Sequence, residues 1–229
     1  SIGHPPKNAI VVGTDYWAKE DLGPGNQRAF QILARMFGLE TPVDEILFFP
    51  GDMTLDPLFE STIPWGEKNI LISPGSNSPR KMMEHDLLEE LVSSLVDDGY
   101  FVIQTGRFEE RKIRKTYSLL GSTSPLDIIS LVKRVNLVVA PDSFVMHAAR
   151  LTNTPAVILW GPTDPLVFGY DNHIHLTGEH VCEDFASNCL GRYNSKNYAT
   201  PCPHSTSHCM NCIDILKILE KIKKTFDFL

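Results

Sequence analysis

Residues 130–165 read SLVKRVNLVVAPDSFVMHAARLTNTPAVILWGPTDP, and this stretch decides the fold. Val135–Ala140 is a short apolar run, rich in β-branched residues, that is typical of a strand buried on both faces. After a polar turn, residues 145–151 favour a helix, and Ala156–Trp160 is a second buried-strand run. The stretch therefore predicts a parallel βαβ unit whose polar turn lies at the carboxyl end of the first strand.

Asp142 and Ser143 occupy that turn, and both are residue types favoured at the N-cap of a helix. Ligands of open α/β sheets bind outside the carboxyl ends of the strands, and a helix N-terminus there favours an anion. His147 follows one turn into the helix, where it can contact an oxygen of an anionic ligand or pack as an ordinary structural histidine. The turn is therefore the first candidate for a binding site.

A second polar loop runs from Pro74 to Lys81, between a predicted strand and a predicted helix. Gly75 permits a tight turn, and Ser76 and Asn77 offer hydroxyl and amide groups to a ligand. Lys81 adds a point charge of the kind that binds phosphate. The loop is therefore a candidate phosphate site; the alternative is an exposed polar turn with surface cations.

The remaining pattern alternates apolar runs with helical periodicity, which predicts an α/β fold with a Rossmann-like, doubly wound parallel sheet. Further strands are expected at Ala9–Gly13, Asn69–Ser73, Tyr100–Thr105 and Leu119–Leu120, and helices at Asn26–Phe37, Glu84–Asp98, Glu109–Tyr117, Leu126–Arg134 and within Cys212–Leu229. Residues 41–64 carry four prolines and indicate an irregular linker. The pattern breaks down again over residues 166–208.

The chain is acidic, with a formal net charge of −7 and a pI near 5.6. This balance argues against a nucleic-acid-binding protein, which needs a basic face. No apolar run approaches the roughly 18 residues of a membrane span or forms a signal-peptide core, so we expect a cytoplasmic protein. Because the sequence begins with Ser1 and not with methionine, we expect it to be a piece of a longer protein.

Asp142, Ser143 and His147 form the pattern Asp-Ser-x-x-x-His, which is followed by Thr154-Pro155 and by Gly-Pro-Thr-Asp-Pro at 161–165. This combination resembles the donor-site signature of glycosyltransferase family 9, the ADP-heptose:lipopolysaccharide heptosyltransferases. The resemblance implies a GT-B enzyme of lipopolysaccharide biosynthesis. Residues 65–229 would be its C-terminal donor-binding lobe, and residues 1–64 a partial N-terminal acceptor lobe with the linker.

The family chemistry is an inverting transfer that uses no catalytic metal. The resemblance implies transfer of a sugar, a heptose from a nucleotide-diphosphate donor such as ADP-heptose, to a glycan or protein acceptor. By resemblance, Lys81 and His147 are the catalytic residues, and Glu110 (or Glu109) holds the nucleoside. The donor-binding set that the resemblance implies is Gly75, Ser76, Asn77, Lys81, Glu110, Asp142, Ser143 and His147.

Two departures from the family pattern bear on activity. Phe144 stands where the family has glycine, and its side chain limits close approach of a phosphate to the backbone. The family's general base comes from the N-terminal lobe; Asp15 follows the first predicted strand, but nothing in the sequence places it opposite the donor site. The base is therefore unassigned. A non-catalytic nucleotide-sugar-binding module and, third, a sugar-nucleotide epimerase are the alternative functions.

Five cysteines follow residue 181, and Cys209 and Cys212 form a C-x-x-C pair. With Cys189 and Cys202 they can complete a four-thiolate site for structural zinc or iron, with His204 and His208 as possible substitutes. Some protein-modifying relatives of family 9 carry a cysteine-bound iron, which favours this interpretation. Unligated thiols and disulfides are the alternatives.

The C-terminal helix is amphipathic, and lysines lie on its polar face. They are Lys217, Lys221, Lys223 and Lys224. Two interpretations remain open: a solvated face, or a surface for peripheral contact with anionic lipid at the inner face of the bacterial inner membrane.

Overall fold

A computed structural model describes residues 54–163, 165–178, 201–202 and 208–228. Six strands form one sheet in the order β3-β2-β1-β4-β5-β6, and every neighbouring pair is parallel. The strands are β1 Asn69–Ile72, β2 Phe101–Gln104, β3 Tyr117–Ser118, β4 Leu137–Pro141, β5 Ala156–Trp160 and β6 Ile174–Thr177. The helices are α1 Pro57–Thr62, α2 His85–Asp97, α3 Pro125–Arg134, α4 Phe144–Thr152, α5 Pro165–Phe168, α6 His208–Asn211 and α7 Ile215–Phe226, with a 3₁₀ turn at Pro79–Lys81. The predicted α/β class and parallel sheet are confirmed.

Helices cover both faces of the sheet, as a doubly wound fold requires. On one face Ile70 and Ile72 pack with α2 and α7, and on the other face Leu71 packs with α3 and α4. The alternation follows the two-residue period of a strand. Because both faces are covered, all residues of β1, β4 and β5 are buried, which explains their continuous apolar sequences.

The centre of the sheet is a topological switch point between β1 and β4. Ile70 pairs with Leu137 and Ile72 with Val139, so the two strands end side by side. From β1 the chain continues to β2 and β3 on one side, and from β4 it continues to β5 and β6 on the other. Crevices at such points are where open α/β sheets bind ligands. We call the edge formed by residues 73–84, 105–110, 142–143 and 161–163 the switch-point crevice.

The helix predicted at Glu109–Tyr117 is wrong, because the buried side chain of Gln104 holds this segment in turns. Its Nε2 donates to the Arg111 carbonyl at 3.0 Å, and its Oε1 accepts from the Ile113 backbone N–H at 2.8 Å. Lys115 then adopts a left-handed conformation, with φ of 63°. The weak strand expected at Leu119–Leu120 lies instead at Tyr117–Ser118, where it pairs with β2.

Two segments that we predicted to be irregular contain regular structure. Within 41–64, α1 begins at Pro57 because the carboxylate of Asp56 accepts from the Leu58 backbone N–H at 2.7 Å. Within 166–208, β6 adds a sixth parallel strand beside β5. The elements predicted at Ala9–Gly13 and Asn26–Phe37, together with Asp15, lie outside the described residues, and the division at residue 64 stays a prediction.

The C-terminal helix is present at Ile215–Phe226 and buries Ile215, Ile218, Leu219 and Ile222. On its polar face Lys223 pairs with Asp98 at 2.8 Å and Lys224 with Glu220 at 2.6 Å. In the described part of the chain, no helix has the length and apolar character to cross a membrane. Peripheral lipid contact by this helix stays a prediction.

Candidate functional site

An ion pair joins the loops that follow β1 and β4. The ammonium of Lys81, in the 3₁₀ turn Pro79–Lys81, lies 2.6 Å from Oδ2 of Asp142, and the two side chains expose only 6% and 12% of their surface. The hydroxyl of Thr163, after β5, donates to the same carboxylate oxygen at 2.9 Å. Three loops of the switch-point crevice are therefore joined through one carboxylate.

The contacts of Asp142 suggest how it acts. An ionised carboxylate only accepts hydrogen bonds and repels another anion, so direct contact with a phosphate would be unfavourable. Instead, Asp142 fixes the ammonium of Lys81 at the point where β1 and β4 end side by side. The geometry therefore favours a positioning role for Asp142 and leaves the cation of Lys81 at the crevice.

Ser143 is the N-cap residue of α4, but its side chain makes no capping hydrogen bond. Its Oγ is buried, and no partner for it lies within the described residues. A buried hydroxyl without a partner is costly and is satisfied by a ligand or an ordered water in most proteins. Together with the N–H groups that a helix leaves unbonded in its first turn, this hydroxyl makes the start of α4 suited to bind an anion.

Phe144 is the first residue of α4, and the residue is 46% exposed. The backbone there does not adopt a left-handed conformation, so the chain conformation itself does not require glycine. The side chain nevertheless stands beside the first turn of the helix. The consequence drawn from the sequence, restricted approach of a phosphate to the backbone at this residue, stays a prediction.

His147 lies one turn into α4, close enough to Lys81 and Asp142 for both charges to act on its ring. Its Nδ1 is 2.8 Å from the hydroxyl of Tyr170, and the two rings meet edge to face with centroids 5.6 Å apart. His147 is exposed to solvent at its edge, but desolvation of the enclosed part of the imidazole lowers the pKa of His147; the Asp142 carboxylate opposes this effect and Lys81 adds to it. The balance favours the neutral ring, which carries one N–H donor.

Glu110 lies at the same edge, in the loop after β2. Its carboxylate rests against Gly75 on one side and Gly106 on the other, so closely that a Cβ at either glycine would overlap it. Oε1 accepts from the backbone N–H of Arg107 at 3.0 Å, whereas Oε2 is buried and has no partner among the described residues. Glu109 is exposed, so of the two candidates for the nucleoside only Glu110 lies in the crevice.

Ser76 and Asn77, two of the predicted donor-binding residues, lie in the Pro74–Lys81 loop. The Ser76 hydroxyl oxygen accepts from the Ser78 backbone N–H at 3.2 Å and so shapes the loop. The side chain of Asn77 is exposed to solvent. Their contact with a donor stays a prediction.

Helix α6, near the C-terminus, packs against residues of the crevice, and the sequence did not indicate these contacts. Asn211 in α6 accepts from the backbone N–H of Glu84 at 2.9 Å, at the start of α2. Met210 is buried against Gly161, and a Cβ on that glycine would lie 2.8 Å from the methionine sulfur. The residues that join the Pro74–Lys81 loop to helix α2 are thereby held in place by α6.

The cysteine cluster is only partly described. Cys202, Cys209 and Cys212 are half-buried, and no disulfide links any of them within the described ranges. In the same ranges, no three His, Cys, Asp or Glu side chains are grouped so as to hold a metal ion. The fourth predicted ligand, Cys189, and both histidine substitutes lie where no side chain is described, so the metal site stays a prediction.

The family of this chain follows from comparison of its sequence with known proteins. Residues 27–183, more than half of the chain, match the sequence model of glycosyltransferase family 9 (heptosyltransferase). The chain belongs to glycosyltransferase family 9. Lipooligosaccharide heptosyltransferase 2 of Haemophilus influenzae is 29% identical over 127 residues, which cover 49% of this chain and 37% of that protein. Lipopolysaccharide heptosyltransferase 2 of Escherichia coli K12 is 28% identical over 106 residues, or 40% of this chain and 30% of that protein.

Solved structures of family 9 share the fold. A glycosyltransferase of the family from Veillonella parvula superposes with a TM-score of 0.55 at 19% identity, over 73% of this chain and 49% of that one. The dodecameric iron-containing heptosyltransferase TibC, solved in complex with ADP-D-β-D-heptose, superposes with a TM-score of 0.57 at 15% identity, over 76% of this chain and 48% of TibC. The matched parts thus span about half, or less, of the relatives' lengths, and over that part the chain shares their α/β fold.

Proposed function

We propose that this chain binds a nucleotide-diphosphate sugar in the switch-point crevice and, as part of the complete protein, transfers the sugar to an acceptor. The donor we propose is an ADP-heptose, the acceptor is a glycan or protein, and the transfer inverts the anomeric centre. Family membership supports the reaction class, and the ADP-D-β-D-heptose bound by TibC supports the donor. The sequence identities to these relatives leave the donor and acceptor as our proposal.

One observation carries the proposal: a cation, a buried hydroxyl with no partner among the described residues, and an imidazole lie together at the switch point. Lys81 is held beside the end of β4 by Asp142, the adjacent Ser143 starts α4, and the ring of His147 lies within the field of both charges. A diphosphate needs several donors and at least one positive charge, and it prefers a helix N-terminus. The combination fits that ligand better than it fits a neutral sugar alone.

The proposed chemistry follows from the charge that the donor gains as its glycosidic bond breaks. The departing diphosphate becomes more negative, so the Lys81 ammonium and the donors at Ser143 and His147 stabilise it more strongly than they stabilise the bound donor. Asp142 and Thr163 keep the ammonium in position before the substrate arrives. At the other end of the crevice, the proposal has the carboxylate of Glu110 accept from ribose or base; its Oε2 is buried and has no partner among the described residues.

Calorimetry with ADP and UDP tests the binding step on this chain. We expect saturable binding of ADP, and we expect His147→Ala to lower its affinity and to abolish hydrolysis of ADP-heptose. If neither ADP nor UDP binds, both the transferase and the nucleotide-sugar-binding module are excluded. The general base and the acceptor site are expected in the N-terminal lobe, so transfer itself is best measured with the complete protein.

A non-catalytic binding module is the second candidate. Phe144 favours it, because an exposed aromatic side chain at the start of α4 stands beside the place proposed for the diphosphate. The two functions differ in one measurement: a module binds ADP-heptose and leaves it intact, in the complete protein and with acceptor present. An epimerase would instead interconvert free nucleotide sugars without any acceptor.

A structural zinc or iron at Cys189, Cys202, Cys209 and Cys212 also remains part of the proposal, supported by the iron that TibC contains. Elemental analysis of the purified protein before and after treatment with a chelator tests it. Stoichiometric metal that is lost from a Cys209→Ser variant is expected, and metal-free wild-type protein would exclude the site.

A further inference from the structure

Tyr170 lies in the loop between α5 and β6, inside the segment whose sequence pattern breaks down. Its hydroxyl is 2.8 Å from Nδ1 of His147, and among the described residues it is the hydrogen-bond partner of that ring. The guanidinium of Arg150, one turn further along α4, lies 5.9 Å from the centroid of the Tyr170 ring. The phenol is therefore held against the face of α4 that carries the candidate histidine.

The backbone of Tyr170 is fixed by a hydrogen-bonded chain that begins in strand β5. The indole N–H of Trp160, which is fully buried in β5, donates to Nδ1 of His175 at 2.9 Å. Indole only donates, so a neutral His175 carries its proton on Nε2. That nitrogen is 2.9 Å from the carbonyl oxygen of Tyr170, to which it donates. The same carbonyl accepts from the backbone N–H of His173 at 2.9 Å.

This chain of contacts runs from the sheet core to the candidate site: Trp160, His175, Tyr170, His147. Each step has ordinary hydrogen-bond geometry, and two of the four residues belong to strands β5 and β6. A ring whose nitrogen is bonded in this way has its orientation and its tautomer set by the second partner. The tautomer determines what the opposite nitrogen can offer a ligand.

We propose that Tyr170 is a positioning residue whose hydroxyl donates a hydrogen bond to Nδ1 of His147, fixing the Nε2–H tautomer and so presenting an N–H donor to the bound diphosphate. The hydrogen bond from Nε2–H of His147 to a diphosphate rests on the proposed function, whereas the tautomer of His147 does not. Burial raises the pKa of Tyr170, so the phenol keeps its proton at neutral pH and is able to donate. The neutral imidazole accepts this hydrogen bond at Nδ1 and carries its own hydrogen on Nε2.

The alternative arrangement has Nδ1–H donating to the phenol oxygen, which would leave Nε2 without a hydrogen. The two arrangements have opposite effects on titration. A bond donated by Tyr170 favours the neutral ring, so its removal raises the pKa of His147. If Nδ1–H of His147 donates to the Tyr170 oxygen instead, this hydrogen bond persists when the ring is protonated and favours the charged ring. Its removal would then lower the pKa of His147.

The test uses the full chain labelled with ¹⁵N-histidine and the variant Tyr170→Phe, which removes only the hydroxyl. Long-range ¹H–¹⁵N spectra at pH 7.5 report the tautomer, and a His147→Gln variant assigns its signal among the eight histidines. We expect Nε2–H in the wild type. In Tyr170→Phe we expect the pKa of His147 to rise by about half a unit to one unit, as loss of one hydrogen bond predicts. We also expect the affinity for ADP, by calorimetry, to fall about three- to tenfold.

Tyr117→Phe is the matched control, because it removes a hydroxyl that donates to the Thr62 carbonyl at 3.2 Å, on the opposite half of the sheet. It should leave the titration of His147 and the affinity for ADP unchanged. An Nδ1–H tautomer in the wild type, or a pKa that falls or stays constant in Tyr170→Phe, would overturn the assignment. An unchanged ADP affinity beside the expected rise in pKa would overturn the donor role. If the wild type binds no ADP, the proposed function and the donor role both fail, whereas spectra of the unliganded protein still decide the tautomer.

Discussion

The ammonium of Lys81 lies 2.6 Å from Oδ2 of Asp142, and this pair connects the ends of the two central strands at the switch point. Both side chains are almost completely buried, so the attraction between them is opposed by a large desolvation cost. Such a pair is a weak source of net stability, but loss of one member leaves an uncompensated buried charge. We therefore assign the pair a positioning role: it holds a cation where the proposed diphosphate binds.

Replacing Lys81 by methionine should destabilise the protein by about 3 kcal/mol, because it leaves the Asp142 carboxylate buried, with Thr163 as its remaining hydrogen-bond partner among the described residues. Chemical denaturation measures the loss. The double variant Lys81→Met/Asp142→Asn should recover most of that stability, since neither residue is then charged. It should not recover binding of ADP. A double variant that binds ADP as tightly as the wild type would show that the cation has no part in the site.

Ser143→Ala should separate binding from stability. Because the hydroxyl has no hydrogen-bond partner among the described residues, its removal should change the free energy of unfolding by less than about 0.5 kcal/mol. The affinity for ADP should nevertheless fall about three- to tenfold, the effect of one lost hydrogen bond. Calorimetry and denaturation on the same preparations give both numbers.

Ser124→Ala is the matched control for that substitution. Ser124 caps α3 through a capping box with Asp127, so its loss should cost about 1 kcal/mol of stability and leave ADP binding unchanged. The opposite pattern, a stability loss in Ser143→Ala with constant affinity, would mean that Ser143 serves the fold only.

Gly75 and Glu110 should be coupled energetically, since a Cβ on Gly75 would overlap the Glu110 carboxylate. Gly75→Ala should therefore destabilise the wild type by about 1–3 kcal/mol, as overpacking does. In the background of Glu110→Ala the same change should cost much less, because the space is then empty. A double-mutant cycle from denaturation midpoints measures the coupling, and strict additivity would refute the close packing of these residues.

His173 predicts how stability depends on pH. It is buried, both ring nitrogens lack partners within the described residues, and burial lowers its pKa to about 4. Because the folded pKa lies below the ordinary value of about 6.5, the unfolded chain binds the proton first as the pH falls. The contribution of His173 to the free energy of unfolding is therefore fully present above about pH 6.5. It is lost between that value and about pH 4, where the loss reaches up to about 3 kcal/mol.

His173→Leu removes that titration and leaves no polar partner behind, so it should flatten the pH dependence. The lowered pKa of His147 acts in the same direction, so a smaller slope should remain. Denaturation curves measured from pH 7.5 to pH 4.5 make the comparison. An equal slope in the wild type and in His173→Leu would contradict the burial of a neutral ring.

The sequence predicted the sheet and its central unit because their signals are local. Ala156–Trp160 matches β5 residue for residue, and the helix expected at 145–151 is α4 with one further residue at each end. Buried strands of a parallel sheet are continuously apolar, and N-cap residues mark helix starts, so both features can be recognised from a few neighbouring residues.

The failures involve interactions between residues that are not visible in a local pattern. The side chain of Gln104 forms hydrogen bonds with backbone groups of Arg111 and Ile113. These bonds prevent the helix that the charged sequence predicted at Glu109–Tyr117. The strand β6 carries His175 and is only partly buried, so it lacks the apolar run that marks its neighbours. Tyr170 precedes it and offers no local signal at all; its place beside His147 follows only from the packing of β6 on β5.

The central claim is that the switch-point crevice binds the diphosphate of a sugar nucleotide, and a crystal structure of the protein with ADP tests it most directly. We predict that the diphosphate lies at the start of α4, with phosphate oxygens within about 3.2 Å of Ser143 Oγ and of His147 Nε2 and with the ammonium of Lys81 beside them. A nucleotide bound elsewhere, with these three side chains making no contact with it, would contradict the account.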